Sequence, residues 1–152
     1  MSKIESYLAD YAAYHRTPGN IACHFIGIPL IVYSILGLLQ LIKFDDVPSF
    51  GRVTAAEVLI VLSFFYYCTL DFRLAMSMLI ATSLLDIVAR SMEAPILAGI
   101  AFILGWVFQG IGHAVFEKKS PAFFRNLLHL MIGPLFLLNE AFGFYRKSAE
   151  TI

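Results

Sequence analysis

The chain has 152 residues and zero formal charge, with no Lys/Arg block of the kind that grips nucleic acid. Hydrophobic residues make up 59% and charged residues 14%, against roughly 25% charged in an ordinary soluble domain. At a mean hydropathy of +0.77 a water-soluble fold would have to expose a largely apolar surface, so the composition points to one all-α, integral membrane domain over residues 1–152.

The first residues, Met1 to Ser6, lack the apolar run of a cleavable signal peptide, and the hydrophobic stretch from Ile21 is expected to direct insertion itself. Ser2-Lys3-Ile4-Glu5 fits a capping box. Ile4, Tyr7, Leu8, Tyr11 and Tyr14 then recur at helical spacing, which predicts an amphipathic helix over 3–15. Its tyrosine stripe suits the membrane headgroup region, or a packing face on the protein's own helices.

Residues 21–42 are long and apolar enough for a first span. A loop is expected at 45–52, and Thr54 to Glu57 can cap the next helix. Spans at about 55–70 and 73–90, parted by Asp71-Phe72-Arg73, form a tight hairpin. Pro95 opens a further span to about Phe116, which Lys118-Lys119-Ser120-Pro121 breaks. The last apolar stretch, about 125–145, carries Pro134, Asn139 and Glu140, which predicts a kinked or partly inserted helix. The expected architecture is an integral membrane helical bundle of 4–5 transmembrane helices with an N-terminal amphipathic interfacial helix. Cys23 and Cys68 sit singly in apolar runs and read as small core residues. Basic residues divide almost evenly between the two faces, but Arg16, Lys118, Lys119 and Arg125 gather beside the histidines and favour a cytoplasmic placement of that face.

All four histidines, His15, His24, His113 and His129, lie in or beside these apolar stretches. Imidazole is the commonest side-chain metal ligand and is costly in hydrocarbon without a partner. Pro18-Gly19 favours a turn that folds the His15 helix back over the start of the next span, with Asn20 as N-cap and on the same face as His24. Either both histidines bind a metal, or His15 caps the first helix and His24 bonds a neighbouring carbonyl.

Gln109, His113 and Glu117, spaced at i, i+4 and i+8, form one stripe flanked by Gly105, Gly110 and Gly112. The stripe fits convergence on one metal or proton. It equally fits a small-residue packing face with Glu117 solvated beside Lys118 and Lys119. His129 reads as a fourth ligand, a partner of a ligand, or an interfacial histidine, and Glu140 as a carboxylate near the far interface. With no thiolates in the clusters, three histidines with open positions suit a mononuclear catalytic Fe(II) or Zn(II).

Tyr14-His15-Arg16-Thr17-Pro18-Gly19-Asn20 followed by His24-Phe25-Ile26-Gly27-Ile28-Pro29 resembles the Y-H-x-x-P-x-N…H-x-x-x-x-P opening of a small membrane-protein family. The block from Trp106 through Gln109, Gly112, His113 and Glu117 to Pro121-Ala122 is similar to that family's W-x-x-Q-x-x-G-H-x-x-x-E-x-x-x-P-A. This is the Mpo1-like family, which includes a fungal endoplasmic-reticulum 2-hydroxy fatty acid dioxygenase. The resemblance implies an Fe2+ enzyme performing α-oxidation: a 2-hydroxy fatty acid and dioxygen give the one-carbon-shorter acid. It implies His15, His24 and His113 as metal ligands, with Asn20, Gln109 and Glu117 as their partners. His129 departs from the family pattern, where glutamine is common. A 2-hydroxy carboxylate can chelate iron through its hydroxyl and one carboxylate oxygen, and Arg16 can pair with that carboxylate or with a lipid phosphate. Two other readings stay open: a zinc-dependent membrane lipid hydrolase with Glu117 as general base, against which the absence of H-E-x-x-H counts, and a non-enzymatic lipid-binding scaffold. The expected location is the endoplasmic reticulum in a eukaryote or the cytoplasmic membrane in a bacterium.

Overall fold

In the computed structural model, which describes residues 2–44, 53–118 and 128–145, every named element is helical. The expected loop at 45–52, the breaker at 119–121 and the start of the last apolar stretch lie outside the described residues.

Helix α1 (Lys3–Ala13) starts at the anticipated capping box, in which Ser2 and Glu5 satisfy each other's backbone N–H groups. Its buried stripe is Ile4, Leu8 and Tyr11. These pack with Ile132, Leu135 and Phe136 of α6 (Leu128–Phe142) in the larger core cluster, so the stripe serves as a face against the protein's own helices.

Helix α2 (Pro18–Leu39) begins three residues earlier than expected. Thr17, not Asn20, is the N-cap: its hydroxyl accepts from the Asn20 N–H, and Pro18 takes the first helical position. The physical reason is that proline has no N–H to lose at N1 and its fixed φ already suits a helix, so Pro18-Gly19 opens the helix and the turn falls at Tyr14 to Arg16.

Thr54 and Glu57 cap α3 (Ala55–Cys68), and Asp71 caps α4 (Phe72–Met92), accepting from the Leu74 N–H at 2.8 Å. Helix α5 (Pro95–Ile111) continues into a π-helical stretch, Gly112–Glu117, that closes at Lys118 in the left-handed region. Pro29 and Pro134 lie inside α2 and α6.

Among the described residues three helices, Pro18–Leu39, Phe72–Met92 and Pro95–Glu117, are long and apolar enough to cross a membrane. Helices α3 and α6 are apolar but have 14 and 15 residues, about 21–23 Å of rise against a hydrocarbon core of roughly 30 Å. Many large apolar side chains face outward, among them Leu62, Phe65, Ile96 and Ile103, as a lipid-facing surface requires.

Helices α2 and α5 pack backbone to backbone at their glycines. A Cβ on Gly27 would lie 2.8 Å from the Gly105 carbonyl oxygen, and one on Gly105 would lie 2.9 Å from the Gly27 oxygen. Gly112 likewise leaves room for Asn20 and Cys23. Of the three glycines expected to permit close contact, Gly110 faces open space instead. At the opposite end of α2, Gln40 donates to the buried Asp86 carboxylate at 2.7 Å, and Arg90 bridges Asp86 and Glu57. This network gives the buried Asp86 in α4 the partners it needs.

Candidate metal centre

The turn between α1 and α2 brings His15, just past the end of α1, against His24, about two turns into α2. Each ring is held by the carbonyl four residues earlier. His15 Nδ1–H donates to Tyr11 O at 2.7 Å, and His24 Nδ1–H donates to Asn20 O at 2.9 Å. A carbonyl can only accept, so both neutral imidazoles present a bare Nε2. The two Nε2 atoms stand 3.0 Å apart.

Two lone pairs at that distance repel unless a proton or cation lies between them. An ion bonded at 2.0–2.2 Å to two nitrogens at right angles holds them about 3 Å apart. Both carbonyl bonds anticipated for isolated histidines therefore exist, and they are also what aims the rings at each other, as in metal sites whose histidines are oriented by a backbone acceptor. Burial, with the neighbouring His24, pushes the His15 imidazole down to about 3. The ring is thus neutral, the form that ligates metal.

His113, on the π-helical stretch, completes the group. One ring nitrogen from each of His15, His24 and His113 lies within 4.8 Å of the others, and all three residues are buried. The rings stand at 78°, 71° and 83° to one another, so no two of them stack face to face. Among the described residues no other set of three histidines, cysteines or carboxylates converges in this way. The donor set fits a divalent metal with open positions.

Glu117 faces elsewhere. Its carboxylate accepts from the Arg16 and Thr17 N–H groups at 3.2 Å, from the Thr17 hydroxyl at 3.0 Å and from Asn20 Nδ2 at 3.2 Å. It is buried rather than solvated, and it clamps the turn that carries His15 onto the helix that carries His113. Asn20 is fully buried and shares in that clamp, its amide also donating to Tyr14 O. Gln109 is buried beside the group, its Nε2 without a hydrogen-bond partner in the structure.

Arg16 meets Glu117 through its backbone; its side chain is exposed and lies outside the lining of the cavity beside the histidines. His129 does not join the three converging histidines. Its Nε2 lies 2.7 Å from Asp10 Oδ2, on the far side of Tyr11. Glu140 lies half-buried in the last turns of α6, away from the group.

Sequence reasoning missed three participants. Tyr11 stacks on the His15 ring at 4.0 Å and 4°, and also contacts the rings of His129 and Phe136. Its spacing of four residues before His15 was the available signal. Thr17 competes with Asn20 for the cap on sequence alone, and Asp10 carries no local mark of its pairing with a residue 119 positions away.

A cavity of about 170 Å³ runs from the histidines between α5 and α6. Ile28, Ile31, Val32 and Ile35 of α2 form its floor, with Phe102 and Trp106 on one wall and Leu130, Gly133 and Pro134 on the other. Both walls pack on α2, while α5 and α6 scarcely meet among the described residues. From His24 to Ile35 the floor extends about 16 Å along the helix axis. A polar head thus finds three imidazoles at one end, and an apolar tail finds a slot leading from them.

The family described as 2-hydroxy-palmitic acid dioxygenase Mpo1-like matches residues 1–145. The 2-hydroxy-palmitic acid dioxygenase MPO1 of Saccharomyces cerevisiae is 30% identical over 141 residues, which cover 90% of this chain and 78% of the yeast protein. No solved structure matches the chain. The match from end to end, on a chain whose histidines converge as they do, places this protein in the Mpo1-like family.

Proposed function

We propose that this protein is a mononuclear, Fe(II)-dependent dioxygenase that shortens 2-hydroxy fatty acids by one carbon. The overall change is RCH(OH)COOH + O2 → RCOOH + CO2 + H2O. The observation that carries the reading is the convergence of His15, His24 and His113 at the head of an apolar cavity, together with the activity for which the yeast relative is named. Bound at the three imidazoles, iron would supply the redox chemistry that lets dioxygen react with the chelating acid.

The protein's own residues account for the rest. Tyr11 O and Asn20 O hold the ligand rings in the required tautomer. Glu117 fixes the turn bearing His15. The apolar walls exclude water and seat the acyl tail. Glu117 is engaged by four donors in this clamp, which leaves the zinc hydrolase reading without its general base. Substrate and product are membrane-soluble acids, which suits a membrane enzyme of the endoplasmic reticulum in a eukaryote or of the cytoplasmic membrane in a bacterium.

The test is incubation of the detergent-purified protein with Fe(II), oxygen and 2-hydroxyhexadecanoic acid. Pentadecanoic acid is expected, and its formation should stop on chelation and resume with added iron. Iron-loaded protein that yields no shortened acid from any of several chain lengths would overturn the assignment.

A further inference from the structure

The polar head of the substrate needs a partner that the three ligating histidines do not provide. A fatty acid carries a carboxyl group into a cavity whose lining includes no Lys or Arg among the described residues. An isolated carboxylate in such surroundings is costly unless a cationic or strongly donating group meets it. Arg16 is exposed and outside the lining. Apart from the three converging histidines, the residue lining this cavity that can carry a positive charge is His129.

His129 is arranged for that work. Its Nε2–H donates to the Asp10 carboxylate at 2.7 Å, which fixes the ring and leaves Nδ1 as the working nitrogen. That Nδ1 is buried and has no hydrogen-bond partner in the structure. A buried polar atom without a partner calls for a physical explanation, and a ligand supplies one. Tyr11 and Tyr14 pack on the ring at 5.6 and 5.7 Å between centroids, so its position is held from the α1 side as well. His129 lines the same cavity as His15, His24 and His113, with the Tyr11 ring packed on both His15 and His129.

We propose that His129, oriented by Asp10, is the subsite for the substrate carboxyl group. In binding, the carboxylic acid's O–H bond breaks and its proton forms the Nδ1–H bond. The resulting carboxylate then pairs with an imidazolium whose other N–H remains on Asp10. The 2-hydroxyl and the second carboxylate oxygen are left to face His15, His24 and His113. The subsite selects free acids over neutral lipids of the same length, such as alcohols, amides and esters. This inference rests on the functional reading above and adds the recognition element to it.

The chain's single tryptophan, Trp106, lies in the cavity wall and reports binding without turnover. Its fluorescence is titrated with oxygen excluded in the iron-loaded protein in detergent, with 2-hydroxyhexadecanoic acid and with hexadecane-1,2-diol, which keeps the 2-hydroxyl and tail but lacks the carboxyl. His129→Ala is expected to weaken the acid at least tenfold and to leave the diol within about twofold. Asp10→Asn should weaken the acid less, and His129→Gln, which keeps a donor, should restore part of the binding even if the alanine variant folds poorly. Loss of both ligands together, or no change for the acid in any variant, overturns the subsite while wild-type turnover leaves the functional reading standing. A wild-type protein that binds and converts neither ligand overturns both.

Discussion

Glu117 holds Thr17 twice, at its backbone N–H (3.2 Å) and at its hydroxyl (3.0 Å), across 100 residues of sequence. Through that pair the two polar motifs of the chain become one unit, with His15 on one side and His113 on the other. Replacing Glu117 by alanine strands four donors, the N–H groups of Arg16 and Thr17, the Thr17 hydroxyl and the Asn20 amide. The expected cost is about 2–4 kcal/mol, read as a lower thermal midpoint in detergent. Iron affinity should fall with it, whereas the fold should remain helical by circular dichroism. A variant that binds iron as wild type does would show that the clamp does not position the ligands.

Removing a ligand acts differently. His15→Ala, His24→Ala and His113→Ala should each abolish stoichiometric iron and lower activity by about a hundredfold or more, with the metal measured on purified protein. His129→Ala should retain its iron, because that ring lies outside the convergent set. Iron lost from the His129 variant and kept in the other three would reverse the assignment.

Acid should destabilise the metal-free protein in a defined window. The His15 imidazole lies at about 3 in the folded chain against about 6.5 unfolded. Between those values the unfolded chain binds a proton that the folded one does not, so stability rises with pH across the window. It is lost as pH falls from about 6.5 toward 3, by up to about 1.4 kcal/mol per pH unit for this group. Above pH 6.5 the same residue contributes no slope. Unfolding midpoints collected from about pH 8 down to 4 check this, and a flat profile rejects it.

The glycines separate into those that a helix contact needs and those, Gly99 and Gly110 among them, that it does not. Gly27→Leu or Gly105→Leu would drive a side chain into the opposing backbone, at a cost of about 1–3 kcal/mol and with displacement of His24. Gly110 has open space around it, so Gly110→Ala should be neutral or stabilising by up to about 1 kcal/mol through helix propensity. Thermal midpoints of the three variants should divide accordingly.

Helices and caps were legible where the signal is local. The Ser2/Glu5 and Thr54/Glu57 boxes and Pro95 at a helix start all act within a turn or two, whereas the single stripe expected of Gln109, His113 and Glu117 gives way where the winding turns π-helical after Ile111. Thr17 is less legible because threonine and asparagine both cap well, and Pro18, which decides between them by sitting at N1, also suits a turn. The Asp10–His129 bond depends on how α1 crosses α6, which no pattern within either segment encodes. The role of Glu117 depended in the same way on tertiary burial: beside Lys118 it looks solvated, and only the arrival of the α1–α2 turn fills its acceptor sites.

The π-helical stretch Gly112–Glu117 carries a consequence of its own. Wound on after α5 and closed by Lys118 in the left-handed region, it takes more residues per turn than regular winding, and the backbone gives up favourable geometry to keep them. Deleting one residue between His113 and Glu117 would let α5 wind regularly to its end and would give a sounder helix. The same deletion would rotate Glu117 by about 100° relative to His113 and take the carboxylate away from Thr17. Here, tolerance to insertion and deletion runs opposite to helix quality. A shorter, better-wound variant should melt later as an isolated helix and fail as an enzyme, so a search for stabilised forms of this protein should leave that irregularity in place.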